Sequence, residues 1–302
     1  MTLLQLARIV EIRTKIVSVS AFLIGTLHAV TATGRVDWMR AVVMALAVLA
    51  VDMATTGFNS FFDYWSGVDR LETNREADKV LVHQGVPPGV ALIVSLTLYA
   101  VAIVLGLVLS FMVGPMVAVI GAVCMGIGFL YNGGPRPISS TPLGELFAGG
   151  FLGWALVVLS RYVQAGSVDN AAMLTGVPSL LMVASILTVN NTCDTVGDTQ
   201  SGRRTLSIVV GPRLGEMLVY LQGFLAFLAV ALLGVAGVLP QAALFTAAAA
   251  AAAAVPVYLR MHRRGYNHAT KGPSMQSISK VFVLFSLAII APLGWAALQA
   301  LR

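Results

Sequence analysis

The stretch "RAVVMALAVLAVDMATTGFNSFFDYWSGVD", residues 40–69, decides the fold class of this chain. From Ala41 to Phe62 its one charged residue is Asp52, and such a run reaches the roughly 20 residues that cross a bilayer as an α-helix. Apolar and polar residues do not alternate along it, as they would in a strand of a membrane barrel. The stretch therefore predicts a transmembrane helix whose far end carries an amide and two carboxylates.

The rest of the chain has the same character. Of its 302 residues, 58% are hydrophobic and 11% are charged, whereas roughly 25% of residues are charged in an ordinary soluble protein. We therefore predict an all-α polytopic membrane protein in which residues 1–302 form a single integral-membrane domain. The N-terminus lacks a short apolar segment with a small-residue cleavage site, so no cleaved signal peptide is expected. The apolar runs predict nine transmembrane helices, near residues 15–34, 40–64, 90–112, 115–132, 142–164, 173–193, 216–236, 239–259 and 278–300.

The basic residues report the orientation of these helices. The net charge is +6, but Lys and Arg cluster in short loops between apolar segments, so no nucleic-acid partner is expected. With nine spans, one side of the membrane holds Arg35, Arg40, Arg161 and Arg302. The other side holds Arg8, Arg13, Lys15, Arg70, Arg75, Lys79, Arg136, Arg203, Arg204, Arg213, Arg260, Arg263, Arg264, Lys271 and Lys280. The positive-inside rule then places the N-terminus and the loops after the second, fourth, sixth and eighth spans on the cytoplasmic side of the cell membrane. We expect the basic loop 260–276 to meet anionic lipid headgroups there.

Two polar segments on the basic side share one design. They are "NSFFDYWSGVDR", residues 59–70, and "NNTCDTVGDTQSGRRTL", residues 190–206. In each segment an Asn precedes an Asp by four residues, which puts amide and carboxylate on one helical face. A further Asp follows after four residues in the second segment, but after six residues, across Gly67, in the first. The helix must therefore end or loosen at Gly67 if both carboxylates are to converge. The residues concerned are Asn59, Asp63, Asp69, Asn190, Asn191, Asp194 and Asp198.

This combination of residue types indicates a metal and diphosphate site. Carboxylates held together raise each other's pKa unless positive charge compensates them. Asp and Asn oxygens are hard ligands that suit Mg²⁺, which commonly joins one or two carboxylates to phosphate oxygens, and no His/Cys cluster points to zinc. Charged residues at helix ends often form only loop salt bridges, but two matching clusters near membrane depth favour a functional role. Cations able to grip phosphate accompany both segments: Arg70, Arg75, Lys79, Arg203 and Arg204.

The two segments resemble the Asp-rich motifs of the UbiA superfamily of intramembrane prenyltransferases, and the chain is most similar to its 1,4-dihydroxy-2-naphthoate prenyltransferase branch. The commonest first motif of the superfamily is NxxxDxxxD. Here Gly67 stands in place of the second Asp and Asp69 follows two residues later, a spacing similar to that of the naphthoate branch. "YNGGPRPISSTPLGE" at 131–145 looks like the Tyr/Gly/Pro-rich turn of that branch, and "RTK" at 13–15 and "GRRTL" at 202–206 are also similar. Related enzymes commonly follow the first motif with a basic residue and then Pro or Gly-Pro, where this chain has Lys79 and Val80.

The resemblance implies a UbiA-type bundle and an Mg²⁺-dependent aromatic polyprenyltransferase of menaquinone biosynthesis. Its substrates would be polyprenyl diphosphate and 1,4-dihydroxy-2-naphthoate, joined with loss of the carboxylate to give demethylmenaquinone. An allylic cation would form and be attacked by an aromatic carbon in a site that excludes water. The implied catalytic metal ligands are Asp63, Asp69, Asp194 and Asp198. The implied substrate-binding residues are Asn59, Arg13, Lys79, Tyr131, Arg136, Asn190, Asn191, Arg203 and Arg204.

Other interpretations of the sequence stay open. The same machinery serves 4-hydroxybenzoate, homogentisate, a chlorophyll precursor or a glyceryl ether in related enzymes, and paired Asp residues also bind ions in cation-coupled transporters. Asp52 either lines the acceptor end of the cavity or is a neutral, hydrogen-bonded buried acid. Glu145 either helps to orient the acceptor or stabilises a helix N-terminus. The sequence leaves the prenyl chain length and the oligomeric state undefined.

Overall fold

The computed structural model describes residues 2–69 and 79–302, and within these ranges the chain is helical with no β-strand. Arg70 and Arg75, which the sequence predicts as phosphate contacts, lie outside the described residues. The α-helices are α1 (Leu3–Ile9), α2 (Ile16–Thr33), α3 (Trp38–Trp65), α4 (Val80–His83), α5 (Pro88–Val113), α6 (Met116–Asn132), α7 (Gly144–Ala148), α8 (Leu156–Ala165), α9 (Asn170–Cys193), α10 (Thr195–Gln200), α11 (Leu206–Val210), α12 (Pro212–Val235), α13 (Ala242–Arg264) and α14 (Lys271–Ala300). A π-helical segment, Gly149–Ala155, joins α7 to α8. The 3₁₀ segments are Ile12–Lys15, Ile138–Ser140 and His268–Thr270.

Eight helical stretches of the described ranges are long and apolar enough to cross a membrane. They are Ile12–Thr33, Trp38–Trp65, Pro88–Val113, Gly144–Ala165, Asn170–Cys193, Pro212–Val235, Ala242–Arg264 and His268–Ala300. The predicted fourth span corresponds to α6, an apolar helix of 17 residues that is shorter than these. The all-α membrane architecture is thus confirmed, whereas the count of nine spans is not, because α6 is at the lower limit of the length that spans a bilayer.

Polar caps and glycines fix the ends of several helices. Asp37 and Asp169 precede α3 and α9 and accept hydrogen bonds from the backbone N–H of Arg40 and Ala172, which satisfies donors that a helix leaves unpaired at its start. At the other end, α2 stops at Gly34, whose φ of 64° belongs to the left-handed region. The break that the sequence predicts between its seventh and eighth spans is present between α12 and α13.

Within the described residues the long helices pack around two apolar clusters, and a third cluster joins the N-terminal segment and α4 to α5. Helix α2 packs between α8 and α14, while α9 packs on α12, and α13 joins α12 to α14. Ile24, Met182 and Phe285 are fully buried where these helices meet. Helices α3, α5 and α6 form the remaining wall, and a second apolar cluster containing Met44 and Leu109 joins this wall to α8. Because α3 and α9 each end in one of the polar segments, the site depends on how these two helices are held.

Small residues bring the π-helical segment against α9. A Cβ atom placed on Gly153 would lie 2.7 Å from the carbonyl carbon of Ser179, far inside van der Waals contact. Gly150, in the same segment, has no atom within 4 Å of its Cβ position. Close backbone approach of this kind is the usual role of small residues in membrane helix packing. The position of α9, and hence of its polar end, depends on Gly153 lacking a side chain.

Gly153→Ala is therefore expected to destabilise the bundle by about 1–3 kcal/mol, the usual cost of overpacking a tight contact. Gly150→Ala is the matched control, since it adds the same methyl group to the same segment in open space and is expected to be neutral. Thermal unfolding of the purified protein in detergent, followed by circular dichroism, measures both changes. Equal unfolding temperatures for the two variants would contradict the packing described here.

Candidate functional site

The first polar segment turns back on itself at the end of α3. The helix ends at Trp65, and Gly67 takes a φ of 72°, which favours glycine because a side chain is strained there. The backbone N–H of Asp69 then donates to the carbonyl oxygen of Asp63 at 3.0 Å. This turn brings the carboxylates of Asp63 and Asp69 close enough for their charges to interact. The six-residue spacing of the sequence is therefore matched by a helix that ends before the second carboxylate.

Lys79 joins the first segment to the N-terminal part of the chain. Its Nζ atom lies 3.8 Å from Asp69 Oδ2 and 3.3 Å from Glu11 Oε1. Glu11 has a φ of 47°, which is strained for a residue with a side chain. Ile9, just before it, is buried against the short helix α4 that Lys79 precedes. The N-terminal segment thus carries a carboxylate to the edge of the site.

The second polar segment continues almost as one helix from α9 into α10. Asp194 follows the last residue of α9, and the backbone N–H of Asp198 donates to the carbonyl oxygen of Asp194 at 2.9 Å. The two side chains therefore lie on one face of the helix. Asp194 is paired with Lys271 at 2.6 Å and His268 at 3.3 Å, both from the start of the last helical stretch. Asp198 is buried and lies 3.3 Å from Arg203. Burial raises the pKa of the Asp198 carboxyl, and the Arg203 guanidinium partly offsets this effect.

Arg203 links the two segments. Besides its ion pair with Asp198, its charge interacts with that of Asp63 at the end of α3. Its guanidinium also donates to the carbonyl oxygen of Ser139 at 3.1 Å, which ties it to the turn before α7. The structure therefore places the four predicted aspartates in two pairs, Asp63 with Asp69 and Asp194 with Asp198, and Arg203 interacts with one member of each pair.

Other predicted residues stand apart from this cluster. The side chains of Arg13, Arg136 and Arg204 are exposed, and within the described ranges no hydrogen bond or ion pair joins them to the aspartates of the two segments. Asn59 and Asn190 are half-buried beside the clusters. The remaining two candidates, Asn191 and Tyr131, contact the start of α7. The amide of Asn191 donates to Glu145, and the hydroxyl of Tyr131 lies 3.5 Å from the carbonyl oxygen of Gly144.

The donor chemistry of the cluster fits Mg²⁺, although the carboxylates are not assembled as a complete cage. Among the described residues, no three His, Cys, Asp or Glu side chains are grouped so that they could hold one metal ion. The aspartates form two pairs instead, and Lys79, Lys271 and Arg203 neutralise them. Mg²⁺ often takes one or two carboxylates and completes its coordination with waters and substrate phosphate oxygens. Each pair therefore suits an Mg²⁺ ion that a diphosphate helps to hold.

An apolar cavity of about 440 Å³ opens beside this cluster. It lies between α2, α3, α5, α6, α7 and α8, and its wall is almost entirely hydrocarbon. Tyr131, which lies within electrostatic range of Asp63 and Arg203, is part of the cavity wall. Val48, Val117 and Leu156 are among the residues that line it deeper in the bundle. A charged cluster that adjoins a long apolar cavity suits an amphiphilic substrate.

A buried ion pair in the cavity wall is a feature that the sequence reasoning missed. Lys15 is buried, and its Nζ lies 2.7 Å from Asp52 Oδ1 and 3.2 Å from Thr56 Oγ1. The Oδ2 atom of Asp52 accepts from Ser18 at 2.6 Å. Asp52 thus lines the cavity as one partner of a fully bonded ion pair. The one available signal was the position of Lys15 directly before a long apolar run. The partners of Asp194, His268 and Lys271, were also missed because they lie two membrane helices further along the chain.

Comparison with known proteins identifies relatives of the chain. The model of the UbiA prenyltransferase family matches residues 18–276. The chain is 34% identical over 177 residues to a 1,4-dihydroxy-2-naphthoate octaprenyltransferase of Bacillus subtilis. The aligned region covers 59% of this chain and 57% of the relative. It is 31% identical over 201 residues to the protein of the same name from Mycobacterium tuberculosis, and this region covers 65% of the chain and 68% of the relative. UbiA prenyltransferase domain-containing protein 1 of Xenopus tropicalis is 31% identical over 208 residues, covering 68% and 59%. The chain therefore spans little more than half of the Bacillus relative.

Solved structures share the same architecture. A digeranylgeranylglyceryl phosphate synthase structure matches with a TM-score of 0.65 and 17% identity over 96% of this chain and 97% of the other. A UbiA homolog from Archaeoglobus fulgidus bound to DMAPP and Mg²⁺ matches with a TM-score of 0.60 and 14% identity over 94% and 99%. At such low identity these likenesses establish the fold and nothing finer.

The buried ion pair between Lys15 and Asp52 is expected to affect the free energy of unfolding. Asp52→Ala leaves the Lys15 ammonium buried without its counter-charge, which is expected to cost about 3–5 kcal/mol. The double variant Lys15→Met/Asp52→Ala removes both charges and is expected to recover most of that loss. Unfolding in detergent with increasing denaturant compares the two variants with the unaltered protein. If the double variant were as unstable as Asp52→Ala, the ion pair would not be the cause.

Proposed function

The chain belongs to the UbiA prenyltransferase family, and from that premise we propose that it transfers a polyprenyl group from polyprenyl diphosphate to 1,4-dihydroxy-2-naphthoate. In this reaction the allylic carbon–oxygen bond breaks to release diphosphate, and the allylic carbon bonds to the ring carbon that loses CO₂. The product is the reduced form of demethylmenaquinone. Two naphthoate octaprenyltransferases at 34% and 31% identity support this acceptor.

One observation carries the proposal: the two aspartate pairs, joined by Arg203, adjoin an apolar cavity of about 440 Å³. A diphosphate head would bind at the charged cluster while its polyprenyl tail enters the cavity. The tail gains free energy from burial of hydrocarbon, and the head stays at the polar end of the bundle. No soluble aromatic substrate alone would need both features, so the pair of features indicates a lipid diphosphate.

Asp63, Asp69, Asp194 and Asp198 would hold Mg²⁺ in this reaction. When bound, the ion supplies Lewis acidity that stabilises negative charge on the departing diphosphate. The protein cations that now neutralise the aspartates, Lys79, Lys271 and Arg203, would turn to the phosphate oxygens once the aspartates bind metal. Arg13, Arg136 and Arg204, together with the amides of Asn59 and Asn190, would add contacts from the rim.

The apolar wall of the cavity would protect the allylic cation. Hydrocarbon side chains exclude the water that would otherwise capture the cation as an alcohol. Tyr131 lies where the cavity meets the charged cluster. Aromatic rings in such a place stabilise a cation through their π-faces. Phe62, packed against Phe58 and Phe129 at the same end of α3, adds further aromatic surface.

The location of the cluster supports a cytoplasmic site in a cell membrane. An ion pair joins the end of α9 to the start of α14, and Arg203 interacts with both Asp198 and Asp63 at the end of α3. The excess of Lys and Arg lies in the loops on that side. The positive-inside rule places these loops in the cytoplasm. The transporter alternative has no support from the family to which the chain belongs, whereas a different acceptor remains the nearest competing proposal.

Metal dependence and the aspartates can be tested together with purified protein, labelled polyprenyl diphosphate and 1,4-dihydroxy-2-naphthoate. Transfer is expected to stop on chelation of Mg²⁺ and to return when excess Mg²⁺ is added. Asp63→Asn and Asp194→Asn are each expected to lower kcat/KM by about a hundredfold or more, because each removes an anionic group that holds the charge-stabilising ion.

The matched control is Asp37→Asn, at the opposite end of α3, where Asn still caps the helix. Its activity should stay close to that of the unaltered protein. Near-normal transfer by Asp63→Asn and Asp194→Asn would refute the metal-site assignment. Release of diphosphate without a prenylated naphthoate would point to another acceptor, such as 4-hydroxybenzoate.

If the prenyl tail occupies the cavity, filling part of it should lower kcat/KM more for long tails than for short ones. Gly121 on α6 lines the cavity and has no atom within 4 Å of its Cβ position, so Phe at this position would fill part of the space. Gly121→Phe is expected to lower kcat/KM for a long polyprenyl diphosphate by about tenfold, which corresponds to about 1.4 kcal/mol. Geranyl diphosphate, with a short tail, should be affected much less.

Gly126→Phe provides the control for this experiment. Gly126 lies on the same helix and is also open, but it is exposed and does not line the cavity. Steady-state kinetics with both diphosphates should therefore separate the two variants. An equal loss for short and long tails in Gly121→Phe would show that the tail does not occupy this cavity.

A further inference from the structure

Glu145 is a buried carboxylate with one unused oxygen. Its side chain is 2% exposed, at the start of α7. One oxygen, Oε1, accepts a hydrogen bond from the amide of Asn191 at 2.8 Å. The other, Oε2, is buried and has no hydrogen-bond partner among the described residues. Leaving a buried carboxylate oxygen unpaired is costly, so this atom indicates a hydrogen-bond donor that the described residues do not supply.

The position of Glu145 connects the charged cluster with the cavity. Gly144, the preceding residue, has its carbonyl oxygen 3.5 Å from the hydroxyl of Tyr131, which lines the cavity. Phe147, two residues further along α7, lines the cavity as well. On the other side, Asn191 belongs to the second polar segment, and Glu145 interacts electrostatically with Asp198. Glu145 therefore lies between the second polar segment and the residues that line the cavity.

The chemistry of the site limits what the missing partner can be. A carboxylate oxygen accepts hydrogen bonds and repels anions, so a phosphate or a substrate carboxylate does not fit. The nearby charge of Asp198 adds to that repulsion. A neutral donor fits, and a hydroxyl on an aromatic ring supplies both the donor and the apolar body that the adjoining cavity wall accepts. Asn191 holds the carboxylate in one orientation, which is the kind of support that a substrate-positioning group requires.

We propose that Glu145 Oε2 accepts a hydrogen bond from a ring hydroxyl of the aromatic acceptor and that Asn191 fixes the carboxylate for this purpose. The inference rests on the proposed prenyl transfer and names the group that would bind its second substrate. The bond would hold the ring carbon next to the hydroxyl towards the allylic carbon. A site built to bond a hydroxyl discriminates strongly against a compound that lacks it, because the polar group of the protein is then left unpaired.

Steady-state kinetics of Glu145→Gln tests the proposal directly. Gln keeps the size of the side chain but removes the charge that strengthens the hydrogen bond. We expect the KM for 1,4-dihydroxy-2-naphthoate to rise about tenfold, because a neutral hydrogen bond replaces a charge-assisted one. The KM for polyprenyl diphosphate and the Mg²⁺ concentration for half-maximal rate should change by less than about twofold. Glu216→Gln, which alters a carboxylate on α12 that pairs with His262, is the control and should leave all three values unchanged.

A methyl ether of the acceptor provides a second measurement that does not depend on any variant. The unaltered protein should prefer the free hydroxyl over the methylated compound by about a hundredfold or more, and Glu145→Gln should lose most of that preference. Asn191→Ala should shift the acceptor KM in the same direction by a smaller factor.

The outcomes separate this inference from the proposed function. Transfer by the unaltered protein with an unchanged acceptor KM in Glu145→Gln would overturn the inference alone. A variant that needs far more Mg²⁺, with a normal acceptor KM, would make Glu145 a metal ligand and would also overturn it. Absence of transfer to the naphthoate and to 4-hydroxybenzoate by the unaltered protein would overturn the proposed function and this inference together.

Discussion

The arrangement of this bundle depends on neutralising carboxylates at the ends of membrane helices. Asp63, Asp69, Asp194 and Asp198 stand close to hydrocarbon, where uncompensated negative charges are expensive. The compensating cations come from three separate places in the chain, after the first segment, after α10 and at the start of α14. Each ion pair therefore fixes a loop or helix start to a helix end. Arg203 connects three parts of the site, because it forms an ion pair with Asp198, interacts with the charge of Asp63 and donates a hydrogen bond to the turn before α7.

The same electrostatic balance explains why the cluster suits its proposed substrate. Among the described residues, Lys79, Arg203 and Lys271 pair with Asp69, Asp198 and Asp194, so most of the negative charge of the cluster is compensated by the protein. A diphosphate bound to Mg²⁺ carries negative and positive charge in one molecule, and it can take over both sets of partners. The exchange keeps the number of favourable charge contacts nearly constant, so the desolvation cost of the buried groups is not incurred again. Charged groups fixed before the reaction also need little reorganisation as charge develops on the leaving group.

The sequence predicts the membrane architecture and the local geometry of each aspartate pair, because both depend on local patterns. Long apolar runs define membrane helices, and the four-residue spacing of Asp194 and Asp198 places them on one face, as the continuous turn from α9 into α10 shows. Helix length limited the span count, since α6 has only 17 residues. Local sequence patterns do not predict which residues form ion pairs across the bundle. Nothing in the spacing of residues shows that Lys271 would meet Asp194, or that Lys15 would be buried beside Asp52.

The two buried acids near the cavity differ in how many of their carboxylate oxygens have a partner within the protein. Asp52 uses both carboxylate oxygens within the protein, on Lys15 and Ser18, and so is held in place by the bundle itself. Glu145 uses one oxygen on Asn191 and leaves the other buried without a partner among the described residues. Sequence leaves both acids ambiguous, because each is an acid within or beside an apolar segment. A fully bonded network stabilises one packing of the bundle, whereas a half-bonded one is unstable until a ligand completes it. On this physical ground we assign Asp52 to the wall of the cavity and propose Glu145 as the acid that binds the aromatic acceptor.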